Sequence, residues 1–285
     1  MTCFTPALMS HTYATIQPRR FGETMRPDAW WVQPLFVFLG FSAFIIYSTW
    51  AAFHPAYNDA CAYWYGGNGA DYLSPFYSPE FWGTSPHALL GVQPAWWPAF
   101  LPAFSPAFLI LWVPAGFRFT CYYYRGAYYK AFWADPVSCA VGEPRKAYLG
   151  ENHLPLIIQN IHRYFLYLAV AFVFLLSYDA FLGMWFADAA GHKHFGIGVG
   201  TVVLILNAVF IALYTFGCHS LRHLIGGFLD SKSKAPTCAK AYSCVSCLNT
   251  RHMMWAWISL FWVGFTDVYI RFCATGTIHD YFFTF

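Results

Sequence analysis

Five long apolar stretches constrain the fold of this chain more than any other feature. They cover residues 31–53, 94–120, 156–186, 196–218 and 253–274 approximately. Each is long enough to cross the hydrocarbon layer of a bilayer, which takes roughly 20 apolar residues in a helix. Only 10% of the residues are charged, against about a quarter in soluble domains. The sequence therefore predicts an all-α membrane protein whose five transmembrane helices form a bundle, the second of them kinked by prolines.

Lysine and arginine predict the orientation of this bundle. Of the 16 basic residues, 14 fall in the N-terminal tail, or in or near the connections between stretches two and three and between stretches four and five. The connection over residues 54–93 has none. Because cytoplasmic connections are enriched in lysine and arginine, we expect residues 1–29 to be a cytoplasmic tail. Residues 30–285 then form the transmembrane domain, with the C-terminus outside.

This orientation places four histidines at one depth. His162 begins the third stretch, His219 and His223 end the fourth, and His252 begins the fifth. Because successive helices alternate in direction, all four imidazoles are expected at the cytoplasmic end of the bundle. His219 and His223 are four residues apart, so on a helix they share one face and can converge on one metal ion. The alternative is that these histidines bond only to backbone carbonyls or lipid headgroups.

Cysteines supply thiols at the same level. Cys121 ends the second stretch, and Cys139 lies in the connection that follows. Cys218 precedes His219 but points about 100° away from it on a helix, so we interpret Cys218 as a packing residue. The nitrogen and sulfur donors of the helix ends, taken together, predict a metal or redox centre.

A second source of thiolates lies in the connection before the fifth stretch. Cys244 and Cys247 form a C-x2-C there, and Cys238 is close in sequence. A C-x2-C without a matching second pair is modest evidence for a metal site. We interpret these three cysteines as residues of a polar loop.

The donor types narrow the choice of centre. Two cysteines and two histidines suit zinc, or a Rieske-type [2Fe–2S] cluster with two thiolates on one iron and two imidazoles on the other. One haem b stays an alternative because it needs only two facing histidines. A metal-dependent membrane hydroxylase would need more histidine boxes than the chain contains. A zinc-stabilised scaffold protein is a further alternative.

Several stretches resemble a known family. They are "RFTCYYYRGAYYKAFW", "SCAVGEPR", "LPLIIQNIHRYFLYLAVAF", "YDAF", "CHSLRH-IGG" and "LNTRHMMWAWISL". They are similar to the five-helix membrane anchor, a cytochrome-b-like subunit, of actinobacterial-type succinate dehydrogenase or fumarate reductase (complex II). The similarity extends from about Trp30 to the C-terminus.

The resemblance implies a subunit of the bacterial plasma (inner) membrane that passes electrons to a quinone, which we expect to be menaquinone. Flavoprotein and iron–sulfur subunits would dock on its cytoplasmic face and carry FAD, further iron–sulfur clusters and the oxidation of succinate. Some members of the family hold a Rieske-type [2Fe–2S] cluster in place of haem. No catalytic residue is expected in this chain, and no nucleic acid is expected as a partner.

The resemblance does not assign the ligands. We predict two thiolates from motifs that match the family and two imidazoles whose spacing allows chelation: Cys121, Cys139, His219 and His223. His162 and His252 are the alternates.

Two further sets of residues are candidates for quinone and proton chemistry. At the cytoplasmic side, aromatic and basic side chains could line an apolar slot for a quinone: Tyr122, Arg125, Arg163 and Tyr164. These residues could equally be ordinary interfacial side chains. Asp179 and Asp267 lie inside predicted spans, towards the outer side, where an ionisable group is costly and is a functional candidate by default. They predict an outer quinone site or a proton path, or else they cap helix ends that water reaches.

Overall fold

The computed structural model describes residues 23–24, 26–58, 60–92, 94–98, 105–134, 142, 152–154, 156–227 and 234–285. The helices of this part are α1 (Val32–Phe53), α2 (Ala107–Ile110), α3 (Trp112–Phe119), α4 (Tyr122–Phe132), α5 (His162–Leu182), α6 (Val199–Phe216), α7 (His219–Gly226), α8 (Pro236–Asn249) and α9 (His252–Ala274). The strands are β1 (Ala56–Tyr57), β2 (Ala60–Cys61), β3 (Trp64–Tyr65), β4 (Tyr72–Leu73), β5 (Trp185–Ala187), β6 (Lys193–Gly198) and β7 (Phe282–Thr284).

Four helices of the described residues are long and apolar enough to cross a membrane. They are Val32–Phe53, Leu156–Leu182, Val199–Phe216 and His252–Ala274. In hydrocarbon the backbone N–H and C=O groups have no water to bond, so an apolar run satisfies them within one continuous helix. These helices match four of the five predicted spans.

The second predicted span takes a different form. Residues 94–98 contain a turn, and the apolar segment Ala107–Phe119 is divided at Leu111 into α2 and α3. Residues 99–104 lie outside the described part of the chain. Pro106 precedes α2 and Pro114 lies in the first turn of α3. Because proline lacks the N–H that continues a helix, the long helix expected over 94–120 does not form here, and a fifth membrane crossing stays a prediction.

The predicted limits of two other spans were too wide. Helix α5 ends at Leu182, and the residues from Trp185 to Ala187 already form β5. Helix α6 begins at Val199, directly after β6. Apolar composition alone does not distinguish a buried strand from a helix end, which is why both limits were misplaced.

The stretch before the last span was predicted to be a polar loop, and this prediction was wrong. It forms α8, which begins with Pro236 at its first position, where a missing N–H costs nothing. Helix α8 packs against α7. Cys244 and Cys247 are exposed on α8, and Cys238 is half-buried. The C-x2-C pair therefore lies on a helix surface.

The segment between α1 and α2 packs over one end of the bundle, as its aromatic composition suggests. Tyr63 and Tyr77 in this segment are fully buried. The Ser74 hydroxyl donates to Asp267, and the Ser78 hydroxyl donates to Asp179. Both hydrogen bonds fasten the segment to spanning helices.

A three-stranded antiparallel sheet in the order β5-β6-β7 lies at the same end. Asp280, which precedes β7, accepts hydrogen bonds from the Tyr72 hydroxyl at 2.8 Å and from the Gly200 backbone N–H at 3.0 Å. Gly200 lies in the first turn of α6, where a carboxylate is favoured by the positive end of the helix dipole. Asp280 therefore fixes both the start of α6 and the segment that covers it.

Helix α6 lies between α5 and α9. At the end of these helices that is opposite to the sheet, the buried core contains Phe117, Cys121, Tyr124, Leu166, Ala169, Tyr214, Cys218 and Ala256. The candidate functional site lies within this core.

Asp267→Ala is expected to destabilise the protein by about 3–5 kcal/mol, because it leaves the buried guanidinium of Arg271 without its counter-ion. Asp267 is fully buried and accepts from Arg271 Nε at 2.7 Å and from Tyr47 at 2.6 Å. Denaturant unfolding in detergent measures the effect. The control is Asp188→Ala, an exposed carboxylate that forms ion pairs with exposed histidines and accepts two backbone N–H groups of its own turn. Equal losses in the two variants would contradict the prediction.

Candidate functional site

Two cysteine–histidine pairs lie together at one end of the bundle. Cys121 Sγ is 3.7 Å from His252 Nε2. Cys218 Sγ is 3.1 Å from His162 Nε2. Both thiols and His162 are buried, and His252 is half-buried. The structure thus gathers two thiols and two imidazoles from four separate positions in the chain.

The backbone delivers the two thiols in the same way. Cys121 is a single extended residue between α3 and α4, with φ −65° and ψ 131°. Cys218 occupies the same place between α6 and α7, with φ −66° and ψ 138°. Each cysteine is therefore the N-cap residue of the short helix that follows the break. Because its backbone is not helical, its side chain does not follow the helical arrangement of its neighbours. The sequence shows little sign of these breaks. The residues before the two cysteines are Thr120 and Gly217, and threonine and glycine also occur inside uninterrupted helices.

The two imidazoles come from the first residues of long helices. His162 begins α5 and His252 begins α9. Both helices run from this end of the bundle to the other, so their first side chains meet at one level. The predicted cytoplasmic layer of His162, His252 and Cys121 is therefore brought together in space.

Neighbouring side chains orient the two imidazoles. His162 Nδ1 is 2.8 Å from the Thr120 hydroxyl, and the His162 ring stacks on Phe117 at 4.8 Å. The His252 ring stacks on Tyr214 at 4.9 Å. Histidines that ligate metals usually have their second ring nitrogen held in this way, as Thr120 holds Nδ1 of His162. His252 Nδ1 has no hydrogen-bond partner among the described residues.

The geometry changes the role assigned to Cys218. The packing interpretation assumed a continuous helix, in which Cys218 and His219 point 100° apart. Because the helix breaks at Gly217–Cys218, that angle does not apply. Cys218 contacts His162 instead of serving only as a packing residue.

His219 and His223 share one face of α7, as their spacing indicates. Their Nε2 atoms are 3.0 Å apart, and both side chains are exposed. Partial burial, together with the nearby His223 and Arg222, lowers the pKa of His219. The structure pairs these two histidines with each other, and neither contacts a cysteine of the described residues. Cys139, the second predicted thiolate, lies outside the described residues.

Within the part of the chain that the structure describes, no group of three or more His, Cys, Asp or Glu side chains is close enough to hold a single metal ion. The four donors are instead arranged as two separate pairs.

A cavity of about 1090 Å³ opens beside the two pairs. All four donors line it, and so do Tyr122 and Arg125 of the predicted quinone residues. The guanidinium of Arg125 lies 4.2 Å from the centre of the Tyr122 ring. Arg163 and Tyr164 do not line the cavity and are exposed on the surface of α5.

Sequence reasoning missed Arg118, which was counted only among the basic residues of a connection. Its guanidinium donates to the Tyr124 hydroxyl at 2.7 Å and to the Ser259 hydroxyl at 2.9 Å. Its position in the sequence could have identified it as a candidate. Arg118 lies within the apolar stretch 94–120 and precedes Cys121 by three residues.

The two intramembrane aspartates have different partners. Asp267 pairs with Arg271, as described above. Asp179 is buried and accepts from Ser78. Near Asp179 lies an ion pair of the segment between α1 and α2, called the covering segment because it packs over this end of the bundle. In this pair His87 Nε2 is 2.6 Å from Asp71. The hydrogen bond to Asp71 raises the pKa of His87 above its ordinary value.

Comparisons with known proteins agree with this architecture. The family model "Actinobacterial succinate dehydrogenase subunit SdhC" matches residues 32–276. A solved structure, described as the Mycobacterium smegmatis Sdh1 complex in the apo form, contains a chain with 41% sequence identity and a TM-score of 0.80. That likeness covers 94% of this chain and 97% of that chain. No curated protein matches this sequence.

The family match extends over all four long apolar helices and over both cysteine–histidine pairs. The chain belongs to the actinobacterial succinate dehydrogenase subunit SdhC family and is the membrane anchor subunit of such a complex.

Proposed function

We propose that this subunit carries electrons from a docked iron–sulfur subunit to a quinone through a Rieske-type [2Fe–2S] cluster held by Cys121, Cys218, His162 and His252. The observation that supports the proposal is the meeting of two thiols and two imidazoles at buried helix ends. The oxidation of succinate, with FAD and the other clusters, belongs to the flavoprotein and iron–sulfur partners.

The donors fit this cluster in type and number. A Rieske centre takes two thiolates and two imidazoles, and histidine ligation raises its potential above that of an all-cysteine cluster. The Thr120 hydroxyl fixes the His162 ring so that Nε2 faces the thiol of Cys218. When bound, the cluster would supply one-electron transfer between the docked subunit and the quinone.

This ligand set replaces three of the four ligands predicted from sequence. Cys121 is kept, and the alternates His162 and His252 take the place of His219 and His223. The exposed pair on α7 is set aside because its two nitrogens face each other rather than a thiol. Cys218 takes the place of Cys139 as the second thiolate.

We place the quinone in the 1090 Å³ cavity beside the four donors. A quinone needs an apolar slot and a few hydrogen-bond donors for its carbonyls. In this cavity the Arg125 guanidinium and the Tyr122 hydroxyl provide donors, and the Tyr122 ring provides a flat face. Menaquinone is the expected substrate. Arg163 and Tyr164, exposed beside the cavity, are available to lipid or to a partner subunit.

The orientation of the complex follows from the same proposal. The flavoprotein and iron–sulfur subunits dock on the cytoplasmic face, which carries the cavity, and the anchor lies in the bacterial plasma membrane. Basic residues at the rim of the cavity, Arg26, Arg125 and Lys130, agree with the excess of positive charge expected there. The N-terminus is then cytoplasmic, and the β5-β6-β7 sheet lies outside.

For the outer side we propose a proton path that uses Asp179 rather than Asp267. Asp267 is committed to Arg271 by an ion pair at 2.7 Å. Within the described residues, Asp179 forms no ion pair, and its neighbours are the Ser78 hydroxyl and the Asp71–His87 pair of the covering segment. These groups lie between the covering segment and the interior of the bundle, where a proton path would need them.

Cys218→Ser and His162→Ala are expected to remove the Rieske-like EPR signal and at least 90% of succinate-dependent quinone reduction in the purified complex, because each variant loses one ligand. Reduction of a soluble dye by the partner subunits should persist. His219→Ala is the matched control, since its imidazole lies at the same end of the bundle, and it should keep the signal.

Loss of the signal in His219→Ala but not in His162→Ala would contradict this ligand set. Metal analysis of the wild-type complex tests the class of centre. Zinc, with no iron beyond that of the partner subunits' clusters, would favour a scaffold. An absorbance band of reduced haem would favour a cytochrome b, and either result would overturn the cluster.

Arg125→Gln is expected to raise the KM for quinone by about tenfold to a hundredfold, because a hydrogen bond from a charged donor contributes roughly 1.5–3 kcal/mol. Steady-state quinone reduction with a short-chain menaquinone analogue measures this effect. Arg163→Gln is the control for loss of a positive charge outside the cavity. An equal increase in both variants would place the quinone elsewhere.

Asp179→Asn is expected to slow quinone reduction severalfold in vesicles while the EPR signal stays unchanged, because an amide cannot accept and release the transferred proton. The same variant assayed for proton movement with a pH-sensitive dye should lose the coupled pH change. Unchanged rates and unchanged dye response would exclude Asp179 from the path.

A further inference from the structure

Arg118 is a cation inside the apolar part of the bundle. Its Nη2 donates to the Ser259 hydroxyl at 2.9 Å, and Ser259 is fully buried seven residues into α9. A charged side chain at this depth is costly and is usually retained for a function. Packing alone therefore does not explain why a charged side chain lies at this position.

The partners of Arg118 are all neutral. Besides Ser259, the guanidinium donates to the Tyr124 hydroxyl at 2.7 Å and to the Ala256 carbonyl at 3.1 Å. Among the described residues, the only ion pair inside the spanning helices joins Asp267 and Arg271, and no carboxylate pairs with Arg118. These three hydrogen bonds go to neutral acceptors, so they leave the positive charge of the guanidinium uncompensated.

The charge lies close to the proposed cluster. The Cζ atom of Arg118 is 4.7 Å from the centre of the Tyr214 ring, and the same ring stacks on the imidazole of His252 with 4.9 Å between the ring centres. The guanidinium is thus less than about 10 Å from a proposed ligand. Arg118 also precedes Cys121 by three residues, and the carbonyl that it binds, Ala256, follows His252 by four.

Arg118 is half-buried, and the walls around the buried part of its side chain are mostly apolar. Arg118 borders a small cavity of about 140 Å³ whose other walls include Phe76, Phe117, Leu176 and Val263. Apolar walls of this kind keep the local dielectric low, so a charge acts at longer range than it would in water. A fixed cation stabilises any neighbouring state that carries one more electron.

We propose that Arg118 positions the Cys121–His252 pair and, through its uncompensated charge, raises the reduction potential of the centre held there. The inference rests on the proposed cluster and concerns a residue that touches neither the irons nor the quinone. Arg118 acts through Tyr214 and through the carbonyl of Ala256, so it is a positioning and tuning residue. Its charge makes the centre a better acceptor of electrons from the docked subunit.

The test is an EPR redox titration of the assembled complex carrying Arg118→Gln. With the charge removed, the ratio of reduced to oxidised centre at a fixed applied potential should fall about tenfold, which is ~59 mV for a one-electron couple. Arg118→Lys keeps the charge and should retain a potential close to that of the wild type. Tyr124→Phe removes one hydrogen bond of the guanidinium without removing its charge and should also leave the potential close to the wild-type value.

A second pair of variants tests the charge without removing Arg118. Ser259→Asp places a carboxylate against the guanidinium and should lower the potential in the same direction, whereas Ser259→Asn, of equal size and uncharged, should not. If Arg118→Gln loses the centre while Ser259→Asp and Ser259→Asn have equal potentials, the role of Arg118 is only structural and the proposal is overturned. An unchanged potential in Arg118→Gln overturns it as well.

These outcomes are distinct from a failure of the proposed function. If the wild-type complex contains no iron–sulfur signal from this subunit, the cluster itself is rejected. If the wild-type signal is present and the potential does not respond to charge at residues 118 and 259, only the role of Arg118 is rejected.

Discussion

The breaks in helical direction at Cys121 and Cys218 are the constraint on which the candidate site depends. A spanning helix satisfies its own backbone, and its side chains are then distributed around its axis. At each break one extended residue leaves that pattern, and a short helix begins immediately after it. The two thiols are thereby placed against the imidazoles that begin α5 and α9. A site with buried soft donors thus forms where four helix ends meet.

The other end of the bundle is fastened by buried polar groups instead. Asp267 joins Arg271 to the segment that follows α1, and Asp280 joins α6 to Tyr72 and the sheet. Each carboxylate accepts more than one hydrogen bond, which offsets the cost of removing it from water. These contacts fix the positions of the spanning helices relative to one another. They therefore also help to align the opposite helix ends, where the cysteine–histidine pairs lie.

Much of the fold could be predicted because it depends on composition over long windows. The lengths of α1, α5, α6 and α9 follow from apolar runs, and basic residues cluster in particular connections. The prediction of one long helix for the second span was wrong around Pro106 and Pro114. The composition is apolar throughout this stretch, but the prolines interrupt the helix. Helix α8 was not predicted because its residues are largely polar. A helix that packs against another short helix, as α8 packs against α7, needs no long apolar stretch.

The sequence by itself determined the apolar helices, the family resemblance and the presence of thiols and imidazoles near helix ends. It could not determine which donors meet, because a helical spacing such as that of His219 and His223 describes one element only. Only the tertiary structure decided that Cys218 faces His162 and that Cys121 faces His252. The physical reason is that these pairs join residues 56 and 131 positions apart, so their contact depends on helix packing and on two local breaks that no periodic pattern records.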